Sequence, residues 1–322
     1  MIAAIADEAR VVSLWESTHA TAVAQLIDAL DSAGIESVLM KGTALAYSVH
    51  EEPAARRRGD SDLLVRPDDL EQARLIFEAN GWDRAEGPHG VSYQEAWLHK
   101  TATHFEHAID LHWEPSDSAV IQKALTLHDF FDHKRPLPRL SDKAWRSDLA
   151  VTMIHETINQ KWHISHGYLT EEGKISGARR LIWSVDFDVM SGAMNGADWE
   201  RLLKLCEARK FGPLVAQALR GAESDLGTIV PEERVRQLEQ MPLDPAIAAF
   251  FETTDKLSEF WLNLRSARGW GERVRMLRQR AFPSRDYLLD KYPQAGGWPT
   301  PFLQGRLMVE TAGRVLRKVT AS

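Results

Sequence analysis

Two aspartates stand one residue apart in Asp60-Ser61-Asp62-Leu63-Leu64-Val65. The apolar residues after them read as a strand, and side chains alternate along a strand, so Asp60 and Asp62 share a face. Carboxylates packed that closely repel unless a cation joins them. Aspartate oxygens suit hard ions such as Mg²⁺, which takes one or two protein carboxylates and fills the rest of its octahedron with water and substrate phosphate. The substrate this pattern implies is a nucleotide. A third acid, Asp110, lies in Ala108-Ile109-Asp110-Leu111-His112-Trp113, where Ile109 and Leu111 face one way and Asp110 and His112 the other. It can complete the site from a neighbouring strand. Upstream, Val38-Leu39-Met40 closes on Lys41-Gly42-Thr43, followed by a helix-like run from Ala44 to His50. A small turn before a helix offers unpaired backbone N–H groups and the positive end of the helix dipole, both suited to phosphate oxygens.

These segments position the acids within a mixed first half. Spaced apolar residues such as Val12, Leu14, Val23, Leu26 and Leu30 predict leading helices over residues 7–33, stopped by Gly34. A strand at Val38–Met40, a helix at Thr43–His50 and a strand at Asp62–Arg66 follow. Pro67-Asp68-Asp69-Leu70-Glu71 reads as a helix start with Asp68 as N-cap, and Gly81 as its end. Short strands are expected at Ser92–Leu98, His104–Phe105 and Ala108–Trp113. Lys134-Arg135-Pro136-Leu137-Pro138-Arg139 reads as a linker, because its two prolines resist both helix and central strand. Beyond it the spacing of Leu149, Met153, Ile154 and Ile158, and of Trp199, Leu202, Leu203 and Leu205, is helical. The expected class is α+β: a small mixed sheet with flanking helices, then an all-helical C-terminal region. The division is a core over 1–133, a linker over 134–142 and a helical recognition region over 143–322.

In order and spacing, these motifs resemble the polymerase-beta-like nucleotidyltransferases, which carry a Gly-Ser or Gly-Thr turn, an Asp-x-Asp pair and a later third acid. More narrowly, Leu39-Met40-Lys41-Gly42-Thr43-Ala44-Leu45, Arg56 ahead of Gly59-Asp60-Ser61-Asp62, and Ile109-Asp110-Leu111-His112-Trp113 resemble a bacterial family labelled uncharacterised nucleotidyltransferase. Leu181-Ile182-Trp183-Ser184-Val185-Asp186 is similar to its helical Trp-x-x-Asp segment, and Ala281-Phe282-Pro283-Ser284 to its late Phe-Pro-Ser turn. Arg57 and Arg58 crowd the approach to Asp60, so the arginine that matches the family's single one is left open.

The resemblance implies a transferase that moves a nucleoside monophosphate from a nucleoside triphosphate, ATP among them, to a small-molecule, sugar-phosphate or peptide acceptor, releasing pyrophosphate. Two Mg²⁺ ions, or Mn²⁺ in their place, would be held by Asp60, Asp62 and Asp110, with Asp110 also able to accept the acceptor's proton. Gly42 and Thr43 would hold phosphate oxygens through backbone N–H and the Thr43 hydroxyl. Lys41 or Arg56 could neutralise charge, although Lys41 could equally cap its strand. Asp186 is an acceptor-orienting candidate by resemblance alone. Since removing a carboxylate from a like-charged cluster also removes repulsion, Asp60→Ala or Asp62→Ala should leave the fold intact. Transfer to RNA ends and a nucleotide-binding regulator without catalysis remain as alternatives.

Composition narrows these classes. With 322 residues, 44% hydrophobic, the chain can bury a sizeable core and has length for about two domains. A net charge of −7 disfavours wholesale nucleic-acid binding, which needs clustered Lys and Arg. The local exception is the stretch Arg265, Arg268, Arg273, Arg275, Arg278 and Arg280, read as a solvated helix face that could also meet an anionic substrate. Acids within the first eight residues and the lack of a long apolar span argue for cytoplasmic residence and no membrane partner. The single cysteine, Cys206, reads as core rather than nucleophile. His155-Glu156-Thr157-Ile158-Asn159 imitates a zinc-protease helix but lacks the second histidine. His155, Asn159 and His163 share one helical face that could line a polar cleft. The 11 tryptophans read as packing anchors, with Trp113 and Trp183 the exceptions that by position could stack on a base.

Overall fold

The computed structural model describes residues 2–85, 93–101, 105–170, 173–253, 255–283 and 285–319. Its elements are α1 (Ile2–Ser32), β1 (Ser37–Met40), α2 (Lys41–Ser48), β2 (Asp60–Val65), α3 (Leu70–Ala79), β3 (Asp83–Arg84), β4 (Gln94–Lys100) and β5 (Glu106–His112). Then come α4 (Leu127–Phe131), β6 (Arg135–Pro136), β7 (Trp145–Arg146), α5 (Leu149–His166), β8 (Tyr168–Thr170), β9 (Gly173–Ile175), α6 (Leu181–Ala193), α7 (Gly196–Arg209) and α8 (Gly212–Leu226). The chain ends with α9 (Glu232–Gln240), α10 (Pro245–Glu252), α11 (Lys256–Ser266), α12 (Trp270–Ala281), α13 (Arg285–Lys291) and α14 (Thr300–Val319). Met1–Ala85 and Tyr93–Asn263 form one unit, and a second begins at Leu264.

The first unit is built on a seven-stranded mixed sheet of order β3-β4-β5-β2-β1-β7-β6. β2 runs antiparallel to β1 and parallel to β5. Alternation along β2 sorts its apolar residues into two layers. Leu63 and Val65 join Val23, Leu26, Ile27 and Leu30 of α1 and Ala73 and Phe77 of α3. Leu64 joins Val38 and Met40 of β1 in the larger layer, which includes Ile154 of α5, Phe187 of α6, Leu202 of α7 and Leu219 of α8. The expected α+β class is what the chain adopts. Besides helices, the region after 143 contains β7 and the small antiparallel pair β8 and β9.

Local details differ from the sequence expectations for identifiable reasons. The leading helical pattern is one helix, α1, and Gly34 follows it at φ +78°, where a side chain would be strained. Pro67–Asp69 makes a 3₁₀ turn before α3, so Asp69, not Asp68, precedes the helix, and no side chain caps it. Of the strand expected at 104–105, His104 lies outside the described residues, as does Ser92 of the strand at 92–98. Phe105 lies just before β5, and its carbonyl accepts from Thr101 N–H at 3.0 Å. The segment 134–142, read from sequence as a linker, carries β6 at the sheet edge, where the N–H that Pro136 lacks is not needed by a neighbour. Leu137 packs into the α1 and α3 layer. Cys206 is buried, and burial pushes its thiol up to about 12.

Behind β5, Phe77 packs against Trp97 at 5.0 Å and Trp82 at 6.1 Å between ring centroids. Phe77→Ala is expected to cost about 3–5 kcal/mol, read as a lower urea midpoint with an unchanged slope.

Candidate active site

The site starts from strand register. Asp62 on β2 lies opposite Asp110 on the parallel β5, and opposite Met40 on β1. Paired residues in a sheet point to the same face, so Asp62 and Asp110 share one side with Asp60, two residues earlier. That side is the Leu64 layer. Asp62 is buried, Asp110 half-buried, and Asp60 open to solvent at the start of its strand.

The charges strain one another. The surrounding protein, then the carboxylates of Asp62 and Asp110, push Asp60 up to about 6. Burial and then Asp62 raise Asp110 as well, against His112, Lys41 and a hydrogen bond from Gln94 Nε2 to Asp110 Oδ2 at 3.0 Å. Burial opposes ionisation of Asp62 too, but Lys41 and His112 outweigh it and hold this carboxyl well below the usual range. Both partners donate to Oδ1: Lys41 Nζ at 2.5 Å and His112 Nε2 at 2.9 Å.

Lys41 reaches Asp62 through an unusual backbone. It directly follows Met40, so strand alternation alone would send its side chain to the opposite face. Its φ of +49° lies in the left-handed region, disfavoured for a residue with a Cβ, and turns the chain into α2. Its ammonium is held above its ordinary range: burial would lower it, but Asp62 foremost, then Asp60 and Asp110, raise it further. Gly42 follows, within van der Waals reach of two arginine side chains. A Cβ there would sit 3.4 Å from Arg58 Cδ and 3.7 Å from Arg56 Cζ.

The three consecutive arginines have three destinations. Arg56 is buried, and its Nε and Nη2 form a two-pronged bridge to Asp186 of α6 at 2.7 and 2.8 Å, while Nη1 donates to the Arg57 carbonyl. His50 Nε2 approaches the same carboxylate at 3.4 Å. Arg57 is exposed and pairs with Glu8. Arg58 turns the other way, donating to Glu16 Oε1 at 2.6 Å and to Thr43 Oγ1 at 2.9 Å. The Thr43 hydroxyl also bonds Ser61 Oγ at 2.7 Å, and Ser61 contacts His19 on α1. Ser61 faces away from Asp60 and Asp62, so the hydroxyl is turned toward the back of β2, where it also reaches the Asp60 backbone carbonyl at 3.5 Å.

α5 and α6 supply further polar groups. His155 is buried edge-on to Phe130 at 5.2 Å, and burial first, then the positive charge of Lys41, lowers it to about 3. Glu156 is buried as well; burial first, then Asp186, pushes it up to about 7. Asn159 donates to Glu156 Oε2 at 3.4 Å, and among the described residues Glu156 Oε1 has no hydrogen-bond partner. His163 stacks on the buried Trp183 at 6.0 Å. Trp113 packs against Tyr93, with Arg74 over its ring.

The structure thus gathers Asp60, Asp62, Asp110 and Lys41, and joins Arg56 to Asp186 in a separate pair. Among the described residues, Asp62, Asp110 and His112 offer ligand atoms all within 4.8 Å of one another. His112 was noted in the sequence only as sharing a face with Asp110, yet that alternation was already the signal for it. Glu16 and Glu156 had no such signal, because their neighbours come from distant parts of the chain. A shallow cavity of about 100 Å³, lined by Asp31, Glu36, Lys134, Lys143 and Trp145 among others, opens at the other end of β1, away from Lys41.

Comparison with known proteins follows the same motifs. No curated protein matches the chain. Among solved structures, an antigenic nucleotidyltransferase-like protein from Paracoccidioides brasiliensis is similar at 14% identity and a TM-score of 0.39, over 71% of this chain and 95% of that one. The profile of the family described as "Uncharacterised nucleotidyltransferase" matches residues 3–227, which hold the glycine turn, all three aspartates and Asp186. The chain belongs to the uncharacterised nucleotidyltransferase family.

Proposed function

We propose that the protein transfers a nucleoside monophosphate from a nucleoside triphosphate to a small-molecule, sugar-phosphate or peptide acceptor, releasing pyrophosphate in a reaction that depends on divalent metal. The observation that carries this reading is the register match of Asp62 with Asp110, with Asp60 on the same face. The residues fit a divalent ion: burial first, then the like charge of neighbouring carboxylates, makes Asp60 and Asp110 resist ionisation, and an added cation would offset both. Asp60 and Asp62 would hold the ion that accompanies the triphosphate, and Asp62 and Asp110 a second. Bound there, Mg²⁺ or Mn²⁺ supplies charge neutralisation on the phosphates and a lowered pKa for the acceptor hydroxyl.

The remaining roles belong to the chain itself. Asp110, with its raised pKa, is the group to take the acceptor's proton. The backbone N–H groups of Gly42 and Thr43, at the start of α2, face phosphate oxygens; the Thr43 hydroxyl instead braces the turn through Ser61 and Arg58. Lys41 brings positive charge beside Asp62. Arg56 is fixed by Asp186, so Asp186 acts on the site by holding this arginine in place. The polar face of α5 with Glu156 supports a recognition role for the helical region. An acidic chain supports a small acceptor over RNA.

The test is incubation with each labelled triphosphate and Mg²⁺, with and without cell extract, followed by pyrophosphate detection. Turnover is expected for wild type, with Asp60→Ala abolishing it and Asp110→Asn slowing it ~10²–10⁴-fold while nucleotide binding persists. Wild-type activity in Asp110→Asn would remove its assigned role, and pyrophosphate release in no arm would favour a non-catalytic regulator.

The electrostatics also separate Asp60 from Asp62 in stability. A carboxyl whose folded pKa is raised binds its proton more tightly in the native state, so without metal its contribution to stability falls as pH rises from about 4 through 6. Asp60→Asn is therefore expected to raise the metal-free melting temperature at pH 8, with the gain vanishing below pH 4. Asp62 is different because it is the partner of Lys41 and His112. Asp62→Ala should lose about 1–3 kcal/mol at neutral pH, because it leaves Lys41 and His112 without their shared acceptor. A scan in metal-free buffer with both variants checks the two signs.

A further inference from the structure

Helix α12 in the second unit has no buried residue. Its sequence nevertheless has a continuous apolar stripe. At about 100° per residue, Trp270, Val274, Leu277 and Ala281 fall on one side of the helix. Trp270, Val274 and Leu277 are 79%, 58% and 46% exposed, and Phe282, just past the helix end, is 58% exposed. The core of this unit is made elsewhere, from Leu288, Tyr292, Ala295, Leu303 and Leu307. α12 therefore presents large side chains that the fold does not use for packing.

The charge around the stripe is as ordered as the stripe itself. Within α12 four arginines stand against one glutamate, in a chain whose net charge is −7. Arg273 and Arg280 flank the apolar side on one edge and Arg278 on the other, while Arg275 lies farther round, near Glu272. The Arg273 guanidinium lies over the Trp270 ring at 5.4 Å. A helix of low overall hydrophobicity, with an aromatic and aliphatic stripe between arginines, has the makeup of one that lies in the plane of a bilayer surface. The arginine stems extend along the apolar side while their heads reach lipid phosphates, and a tryptophan sits well at headgroup depth.

We propose that α12 docks this protein on an anionic phospholipid surface, with Trp270, Val274 and Leu277 entering the interface and Arg273 and Arg278 meeting the headgroups. The apolar stripe decides against nucleic acid, whose phosphate backbone would use the arginines and leave Val274 and Leu277 in water. Peripheral docking differs from spanning: among the described residues no helix is long and apolar enough to cross a membrane. The absence of a membrane partner expected from sequence rested on the acids near the amino terminus and the lack of a long apolar span, neither of which bears on peripheral docking. This inference does not depend on the proposed transferase activity.

The test is co-sedimentation of the full chain with phosphatidylcholine vesicles, with and without added phosphatidylglycerol. Binding is expected only with the anionic vesicles, weakening as salt rises. Arg278→Gln should lower the partition about fivefold and Leu277→Asp should abolish it. Because Leu277 and Arg278 are both exposed, both variants should keep the wild-type circular dichroism and pyrophosphate release. Equal binding to neutral and anionic vesicles, or undiminished binding by Leu277→Asp, overturns the proposal. So does a result in which the same variants abolish binding to single-stranded RNA, or dissociate a dimer in sedimentation, while vesicles capture nothing.

Discussion

The site rests on a single pairing, β2 alongside β5 in parallel, which brings the Asp62 carboxylate opposite that of Asp110. Like charges held in register are unfavourable, and the fold offsets this locally rather than avoiding it. Lys41 and His112 converge on one oxygen of Asp62, so the most buried of the three aspartates is also the most firmly ionised. Asp60 and Asp110 carry the cost of burial and the remaining repulsion as raised pKa values. A site tuned this way is ready for added positive charge, since a cation gains most where carboxylates are closest and least compensated.

The frame around the acids is held from both sides of the sheet. In front, Arg56 ties the loop before β2 to Asp186 on α6. Behind, Arg58 ties the same loop to Glu16 on α1, where Tyr47 donates to the same oxygen. Adjacent turns of one loop are thus anchored in opposite layers, and the strand that follows has little freedom to shift register. A slip of one residue would move Asp60 and Asp62 to the α1 face and Ser61 to the site. Thr43, bonded to Ser61 and Arg58, locks the glycine turn to the same strand.

The second unit follows a different logic. Its small core is made without α12, whose large apolar residues Trp270, Val274 and Leu277 stand exposed between arginines. The sequence reading saw the arginines as a solvated face because charge alone suggests that. The exposure of Trp270 and Val274 alters the interpretation, since a stripe of this kind is costly to leave in water.

What the sequence determined by itself was local: the Asp60-x-Asp62 spacing, the Lys41-Gly42-Thr43 turn after a strand, the placement of Asp110 beside His112, and the helical periodicity of the second half. Period-two alternation is a property of the backbone, so the shared face of Asp60 and Asp62 needs no fold to be predicted. Only tertiary structure decided which of Arg56, Arg57 and Arg58 turns toward α6, because alternation in a short irregular loop has no fixed phase. It also decided that the Thr43 hydroxyl turns toward the back of β2, that Asp186 belongs to Arg56, and that Glu16 and Glu156 enter the surroundings of the site. Each of these is a contact between distant segments, and the energies that select them, burial and charge pairing, depend on neighbours that sequence order does not specify.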